Sequence, residues 1–290
     1  MSLPQKDAPS VSVIIPVYNR QDTAIASIRS VLAQSFTDFE LIVVDDGSSP
    51  PFELPADISG DARIRLLRQQ ENGGAGAARN AGARAARGEW LAWLDSDDEW
   101  LPHKLERQLG FIAANGIGTK RTAIASGFEY RFSDGRREQR IPVPSDDPSM
   151  FFSGCWFCPG STVMLGREAF VEVGAYDQNM MRLEDVDWFA RFALEGGELV
   201  VVPEPLAIIH LGSRPEFARV KAAGDYLVNK YRSDPRLDRS VRRHLFAYTE
   251  LEYAASRLKT RKQMIRGAWN LVHSWMLVPR MHLQVCKFWQ

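Results

Sequence analysis

The sequence has 290 residues, and its 36 lysines and arginines balance its 36 aspartates and glutamates, so the formal net charge is zero. Hydrophobic residues make up 45% of the chain, which is typical of a globular protein and excludes a disordered or collagen-like one. Because the balanced charge gives no overall basic field, we predict that nucleic acid is not a partner.

Cysteine content and hydropathy bear on the compartment of the protein. Its three cysteines, Cys155, Cys158 and Cys286, are too few for a disulfide framework. The first ten residues have no apolar segment like that of a signal peptide, and no run of about 18 apolar residues is present that could cross a bilayer. We therefore expect a cytoplasmic protein, and this leaves peripheral attachment to the inner face of the membrane open.

The first hundred residues alternate between short apolar runs and helical patterns. Four apolar runs predict buried strands, at residues 11–16, 39–44, 63–67 and 90–94. Helical patterns follow at residues 21–33, 74–86 and 102–115, with Pro102 in the first turn of the last. This alternation predicts an α/β fold with a mostly parallel central sheet flanked by helices. Ligands of such sheets bind beyond the carboxyl ends of the strands.

The second half of the chain has a different pattern. Residues 120–165 predict an antiparallel hairpin around a Ser133–Gly135 turn, followed by a proline-rich mobile loop. Residues 184–195 predict a helix and residues 199–202 a strand. From about residue 216 the pattern is all helical, so we predict a main domain over 10–215 and a helical extension over 216–290.

The extension has an unusual composition at its end. No acidic residue follows Glu252, whereas the segment has seven basic residues and several interleaved aromatic ones. These aromatic residues are Trp269, Trp275, Phe288 and Trp289. Such a segment can lie on an anionic membrane surface, or its aromatic side chains can pack against the main domain. Both interpretations stay open.

Clusters of acidic residues follow the second and fourth predicted strands. Asp95 and Asp97 lie two residues apart on an extended segment, so they can face one ligand, and paired carboxylates suit Mg²⁺ or Mn²⁺ held together with substrate phosphates. The alternative is a solvated loop in which Asp98 caps the next helix. Asp46 belongs either to a simple turn or to a site where its carboxylate accepts a hydrogen bond from a base or a ribose.

The glycine-rich segment 72–80 opens a predicted helix. Its backbone N–H groups and Arg79 could bind a phosphate. The segment also partly matches a dinucleotide-binding fingerprint, but Arg79 occupies the third small position, and the glycines follow the third strand instead of the first.

Three further features carry possible chemistry. The acids Glu184, Asp185 and Asp187 open a helix, where they either interact with its dipole or include a general base. The Cys155–Cys158 pair lacks further ligands at zinc-site spacing and does not open a helix as redox pairs do. His210 ends an apolar run, where a histidine usually has a structural role.

The order of these motifs is more specific than any one of them. Over about residues 10–215 the chain closely resembles the family 2 glycosyltransferases of the GT-A fold. The motifs that carry the resemblance are Pro16-Val-Tyr-Asn19, Asp45-Asp-Gly-Ser48, Asn72 to Gly82, Asp95-Ser-Asp-Asp98, Gly174-Ala-Tyr-Asp177 and Glu184-Asp185. The resemblance implies an inverting, metal-dependent transfer of a sugar from a nucleotide-diphosphate donor, most often a UDP-sugar, to a hydroxyl of a glycan or lipid-linked acceptor. Bacterial surface polysaccharide synthesis is the setting that we expect.

The resemblance also implies roles for individual residues. The nucleotide would be held by Pro16, Tyr18, Asn19, Asp46, Arg79 and Asp95. A Mn²⁺ or Mg²⁺ ion would be held by Asp97, Asp95 and His210. Asp185 would be the catalytic base. The donor and acceptor sugars would be contacted by Glu184, Asp98 and Trp188.

Two other functions compete with this one. A nucleotidyltransferase would also use carboxylates and Mg²⁺, but it needs a glycine-rich loop directly after the first strand, and Val17–Arg20 contains no glycine. A catalytically silent nucleotide-binding module of the same fold is the second alternative. The presence of Asp46, Asp97 and Asp185 together argues against it.

Overall fold

The structure is a computed structural model, and it describes residues 8–211, 216–258 and 263–279. Cys286, Phe288 and Trp289 lie outside these ranges. In the part of the chain that is described, no helix is both long and apolar enough to cross a lipid bilayer.

Strands and helices alternate through the first 120 residues as the hydrophobic pattern predicts. The strands of the described ranges are β1 (Val11–Val17), β2 (Phe39–Asp45), β3 (Ile64–Arg68), β4 (Trp90–Trp93), β5 (Glu99–Trp100), β6 (Thr122–Arg131), β7 (Arg137–Arg140), β8 (Met164–Gly166) and β9 (Glu198–His210). The helices are α1 (Gln21–Leu32), α2 (Gly74–Ala85), α3 (Lys104–Asn115), α4 (Pro148–Phe151), α5 (Pro159–Thr162), α6 (Arg167–Val173), α7 (Glu184–Leu194), α8 (Phe217–Tyr231), α9 (Arg239–Arg257) and α10 (Met264–Leu277).

The strands form one mixed sheet in the order β3-β2-β1-β4-β8-β6-β9-β5, with β7 paired to β6. Strands β3, β2, β1 and β4 are parallel, which confirms the prediction for the first half of the chain. The predicted hairpin is also present, because β6 and β7 pair in antiparallel register. Strand β8 is antiparallel to both β4 and β6, so the second half of the sheet is mixed.

Helices cover both faces of the sheet, and this explains why every residue of β1 is buried. Side chains of a strand alternate between its two faces. Accordingly, Val13 and Ile15 pack with residues of α1 and α3, whereas Ile14 packs on the opposite face with residues of α2 and α7. The long apolar run predicted as a buried strand is therefore the shared wall of two cores.

Two local boundaries differ from the sequence prediction. Helix α3 begins at Lys104, and His103 precedes it, so Pro102 lies just before the helix and Asp98 is not its cap. The proline-rich loop contains α4, whose preceding Asp147 accepts a hydrogen bond from the backbone N–H of Ser149.

Helices α8 and α9 share a hydrophobic core with α7 and with Phe152, directly after α4. Leu227, Tyr231 and Leu245 of the extension pack with Val186 and Ala190 of α7. The Tyr231 hydroxyl also donates to Oδ1 of the buried Asp187 of α7, at 2.9 Å. The first two helices of the predicted extension are therefore packed directly on the element that carries the acidic cluster.

Candidate active site

A cleft of about 1340 Å³ lies at the carboxyl ends of β1, β2 and β4. Its walls come from the loops after these strands, the first turns of α2 and α7, and the helices α8 and α9. This is the edge where parallel α/β sheets bind ligands, as the sequence predicts.

A buried arginine joins three of these walls. The Arg79 guanidinium on α2 lies 2.7 Å from Asp95, 2.9 Å from Glu184 and 3.1 Å from Asp185. Burial alone would lower the pKa of Arg79, but the charges of the three carboxylates outweigh it and raise that pKa. The cleft therefore contains a permanent cation with three carboxylates around it. One of these carboxylates, Asp185, is the predicted base.

The local environment raises the proton affinity of Asp185. Burial raises its pKa to about 7, and the charges of Glu184 and Asp95 act in the same direction. The Arg79 charge opposes them. Leu183, which has a left-handed backbone with φ of 62°, directly precedes α7, so Asp185 lies in the first turn of that helix and lines the cleft. A carboxyl group that titrates near neutral pH is suited to accept a proton.

The Asp46 carboxylate caps the amino end of α2. Its Oδ1 accepts from the backbone N–H of Gly73 at 2.9 Å, and its Oδ2 accepts from that of Gly74 at 2.8 Å. Burial raises the pKa of Asp46, although these two hydrogen bonds lower it. Because the Gly73 and Gly74 N–H groups already have a carboxylate partner, they are not free to hold a phosphate. The phosphate-loop interpretation of this glycine-rich segment is therefore not supported.

Asp95 and Asp97 both line the cleft, after the end of β4. Asp97 forms an ion pair with Arg20, with 2.6 Å between Nη1 and Oδ2. Burial and the charge of Asp95 both raise the pKa of Asp97. Gly160 allows Asp95 its position, because a Cβ atom at residue 160 would lie 2.3 Å from the Asp95 Oδ2. Two neighbouring carboxylates that line one cleft are a suitable donor pair for a divalent cation.

The family model described as glycosyl transferase family 2 matches residues 12–174, which is more than half of the chain. The chain belongs to glycosyl transferase family 2.

Relatives connect it with enzymes of bacterial polysaccharide biosynthesis. The amylovoran biosynthesis glycosyltransferase AmsB of Erwinia amylovora is 30% identical over 215 residues, which cover 71% of each chain. WfgD of Escherichia coli, a UDP-Glc:alpha-D-GlcNAc-diphosphoundecaprenol beta-1,3-glucosyltransferase, is 43% identical over 107 residues, or 37% of this chain and 42% of WfgD. The chain thus spans less than two thirds of the length of some curated relatives that it matches.

The fold is similar to that of a solved structure. A crystal structure of residues 1–349 of S. aureus TarS in complex with UDP matches 96% of this chain and 83% of the TarS chain, with a TM-score of 0.64 and 17% sequence identity. The similarity confirms the α/β GT-A fold that the resemblance implies.

Most of the residues expected in the family 2 site line this cleft. Those that line it are Pro16, Tyr18, Asp46, Arg79, Asp95, Asp97, Glu184 and Asp185. Tyr18 keeps 45% of its surface exposed at the mouth of the cleft, where a flat ligand can stack on its ring.

Four expected residues lie elsewhere. Trp188 is fully buried in an aromatic cluster, and its indole N–H donates to the Gly174 carbonyl at 2.8 Å, so its position fits a core role and not contact with a sugar. Asn19 does not line the cleft, and its Oδ1 accepts from the Ser49 N–H, which joins the loops after β1 and β2.

The other two, Asp98 and His210, contact each other and not the cleft. Asp98 is buried, accepts from the His210 backbone N–H at 2.9 Å and is bonded to the Ser161 hydroxyl. The His210 imidazole instead pairs with Glu99, 3.0 Å away. Among the described residues, no three His, Cys, Asp or Glu side chains are placed to hold one metal ion. Because β9 pairs with β5, His210 contacts Glu99 instead of lining the cleft, and its expected role in holding a metal ion stays a prediction.

Several residues that line the cleft were not predicted from the sequence. They include Arg20, Cys155, Arg219, Tyr226 and Tyr248. The extension supplies the last three, and no motif in its sequence indicates this contact. Burial raises the pKa of the Cys155 thiol well above its usual range and that of Cys158 to about 12, and both are free cysteines. This burial disfavours the thiolate form that a reactive cysteine needs.

The bonds from Asp46 to α2 predict a specific loss of stability. We expect Asp46→Ala to lower the free energy of unfolding by about 1–3 kcal/mol, because it leaves two N–H groups at a helix start without their acceptor. Asp46→Asn retains one amide oxygen and should cost less. Asp57→Ala is the matched control, because it removes an exposed carboxylate paired with Arg29 and should change stability by less than about 1 kcal/mol. Urea unfolding that finds Asp46→Ala as stable as the control would contradict the role of Asp46 as a cap.

Proposed function

We propose that this family 2 protein transfers a sugar, with inversion, from a UDP-sugar to a hydroxyl of a lipid-linked glycan. The observation that carries this proposal is Asp185, a carboxyl group with a pKa near 7 in the same cleft as Arg79 and the Asp95–Asp97 pair. A group of this kind can take a proton from an incoming hydroxyl at neutral pH.

The relatives support the choice of substrates. The name of WfgD specifies a UDP-Glc donor and a diphosphoundecaprenol-linked acceptor, and TarS was crystallised with UDP. For this chain, a uridine nucleotide and a lipid-diphosphate acceptor are therefore the first substrates to test.

The chemistry requires one catalytic carboxylate. The acceptor oxygen forms a bond to the anomeric carbon, the bond from that carbon to the phosphate oxygen breaks, and the acceptor proton moves to a carboxylate oxygen of Asp185. The anomeric carbon becomes oxocarbenium-like, as in glycoside hydrolysis. Attack opposite the leaving diphosphate inverts the configuration in a single displacement, so no covalent nucleophile is needed.

Arg79 links the base to the leaving-group side of the cleft. Its guanidinium contacts Asp185 through Nη1 and Asp95 through Nη2. When Asp185 accepts a proton, its carboxylate charge is neutralised and the pairing with Arg79 weakens. The cluster around Arg79 then has one negative charge less, so it repels the negative charge that builds on the diphosphate less strongly.

Asp95 and Asp97 are the residues that would hold Mn²⁺ or Mg²⁺. Two carboxylates fit a cation whose remaining ligands are waters and substrate phosphates. When bound there, such an ion would neutralise charge on the leaving diphosphate. Arg20 now pairs with Asp97, so it would have to release that carboxylate. Pro16, Tyr18 and Asp46, on the loops after β1 and β2, would contact the nucleoside.

Nucleotide binding tests the donor and the metal. We expect UDP with Mn²⁺ to raise the midpoint of thermal unfolding by several degrees, because a ligand at about 100 times its Kd stabilises by roughly 2.7 kcal/mol. GDP, dTDP, CMP and NAD, and UDP with EDTA, should give smaller shifts. Asp97→Asn should remove the effect of Mn²⁺, and Asp57→Asn, an exposed carboxylate outside the cleft, should not. If UDP raised the unfolding midpoint by the same amount with EDTA, nucleotide binding would not depend on a metal ion. If NAD alone raised it, the proposed nucleotide-sugar donor would be wrong.

Transfer itself tests the base. With the donor identified by that panel and a GlcNAc-diphosphate-undecaprenol acceptor, we expect Asp185→Asn to lower kcat by about 10²–10⁴-fold and to leave donor binding unchanged. Glu184→Gln is the matched control, because it also removes a carboxylate paired with Arg79 but should lose less activity. An equal loss of kcat in both variants would show that activity depends on the ion pairs of Arg79 and not on a base at Asp185.

The pH dependence of the reaction tests the electrostatics. Since the base must be deprotonated, kcat/KM should fall about tenfold per pH unit below about pH 7. Arg79 lowers the pKa of Asp185, so Arg79→Met should raise that pKa and move the acid limb to higher pH. Arg79→Lys retains the charge and should move it less. An acid limb that stays in place in Arg79→Met would contradict the coupling of the two residues.

A further inference from the structure

Helix α10 packs on α9 through its small and polar residues. The buried positions of α10 are Gly267, Asn270 and Ser274. Asn270 accepts from the Arg257 guanidinium at 2.6 Å and donates to Glu250, and the Ser274 hydroxyl donates to the Ala247 carbonyl at 2.7 Å. Directional hydrogen bonds therefore fix which side of α10 faces the protein.

The opposite side of α10 is apolar and exposed. Ile265, Trp269, Val272 and Met276 follow one another at intervals of four, three and four residues, so they share one stripe of the helix. Their surfaces are 88%, 69%, 45% and 61% exposed, respectively. We call these four residues the α10 stripe. Amphipathic helices of globular proteins turn such a stripe toward the core, and α10 does the reverse.

This exposure stands out from the rest of the described surface. With Met264, Leu271 and Trp275, the helix contributes seven of the fourteen exposed large hydrophobic residues in the described ranges. A contiguous apolar surface of this kind marks an interaction site more often than a scatter of single residues does.

Charge identifies the kind of partner. From Tyr253 to Gln290 the sequence has no Asp or Glu, and it has seven basic residues: Arg257, Lys259, Arg261, Lys262, Arg266, Arg280 and Lys287. A partner that is apolar and also anionic fits this composition. A second copy of this chain would bring two basic segments together, and their repulsion would oppose association.

We propose that the α10 stripe lies in the interfacial region of a lipid bilayer with anionic headgroups. The stripe would enter the boundary between headgroups and acyl chains, where the amphipathic indole of Trp269 is favoured. Arg266, exposed on the same helix, would lie at headgroup level. This inference does not rest on sugar transfer, since it concerns binding alone.

Vesicle flotation of the full chain tests the inference. We expect capture by vesicles of phosphatidylglycerol and phosphatidylcholine, and weaker capture by phosphatidylcholine alone or in high salt. Ile265→Ser combined with Trp269→Ser should lower the partition coefficient on the order of 100-fold, because each large apolar side chain contributes about tenfold or more. Leu66→Ser combined with Val171→Ser is the matched control, because both residues are exposed apolar residues outside α10.

A second variant, which reverses one charge, tests the proposal even if the Ile265/Trp269 double variant does not fold. Arg266→Glu should weaken capture by anionic vesicles about fivefold or more, with little change for phosphatidylcholine. Thermal unfolding should be unchanged in all variants, because the replaced side chains are exposed. Absence of capture of the unmodified chain, or equal capture of the Ile265/Trp269 variant, would overturn the proposal. A dimer by light scattering that becomes a monomer in that variant would also overturn it and would assign the stripe to a second copy.

Discussion

The ion pairs of Arg79 are the interaction on which the site depends. This buried side chain on α2 contacts Asp95 after β4 and Glu184 and Asp185 on α7, residues that are 16 to 106 positions apart in the sequence. A buried charge is strongly destabilising unless it is paired, so the folded state requires all three elements to meet at the guanidinium. The same pairing brings the proposed base next to the side of the cleft where a diphosphate would leave.

Helix α2 contributes more than this arginine. The neighbouring Asn80 side chain bonds both the N–H and the carbonyl of Tyr176, at 2.8 and 2.9 Å, which fixes the segment just before α7. Asp46 caps the start of the same helix, and Gly76 lets it approach the segment before α7, because a Cβ there would lie 3.2 Å from the Tyr176 Cβ. Gly74 has a positive φ of 84°, so backbone geometry and close packing account for these two glycines without a bound phosphate.

The sequence predicted the elements of the fold better than the direction of individual side chains. Apolar runs located β1 to β4, and the Ser133–Gly135 turn located the hairpin, because burial and turn chemistry are local signals. A strand was predicted only over residues 199–202, yet an irregular register with β6 lets β9 continue past Pro203 and Pro205 to His210. The structure places His210 and Trp188 away from the cleft for a common reason. Spacing along the chain does not determine which neighbour a side chain meets, and here those neighbours are Glu99 and the Phe170 ring.

The composition of the extension left two interpretations open, and for Trp269 and Trp275 the structure argues against packing on the main domain. Trp269 and Trp275 do not pack against the main domain, because hydrogen bonds of Asn270 and Ser274 hold the other side of α10 on α9. Helix α9 also supplies Tyr248 to the wall of the cleft, one residue from the Ala247 carbonyl that α10 contacts. A single helix thus connects the apolar stripe to the cleft. If the stripe lies in a bilayer, helix α9 connects the cleft to the surface from which a lipid-linked acceptor would come.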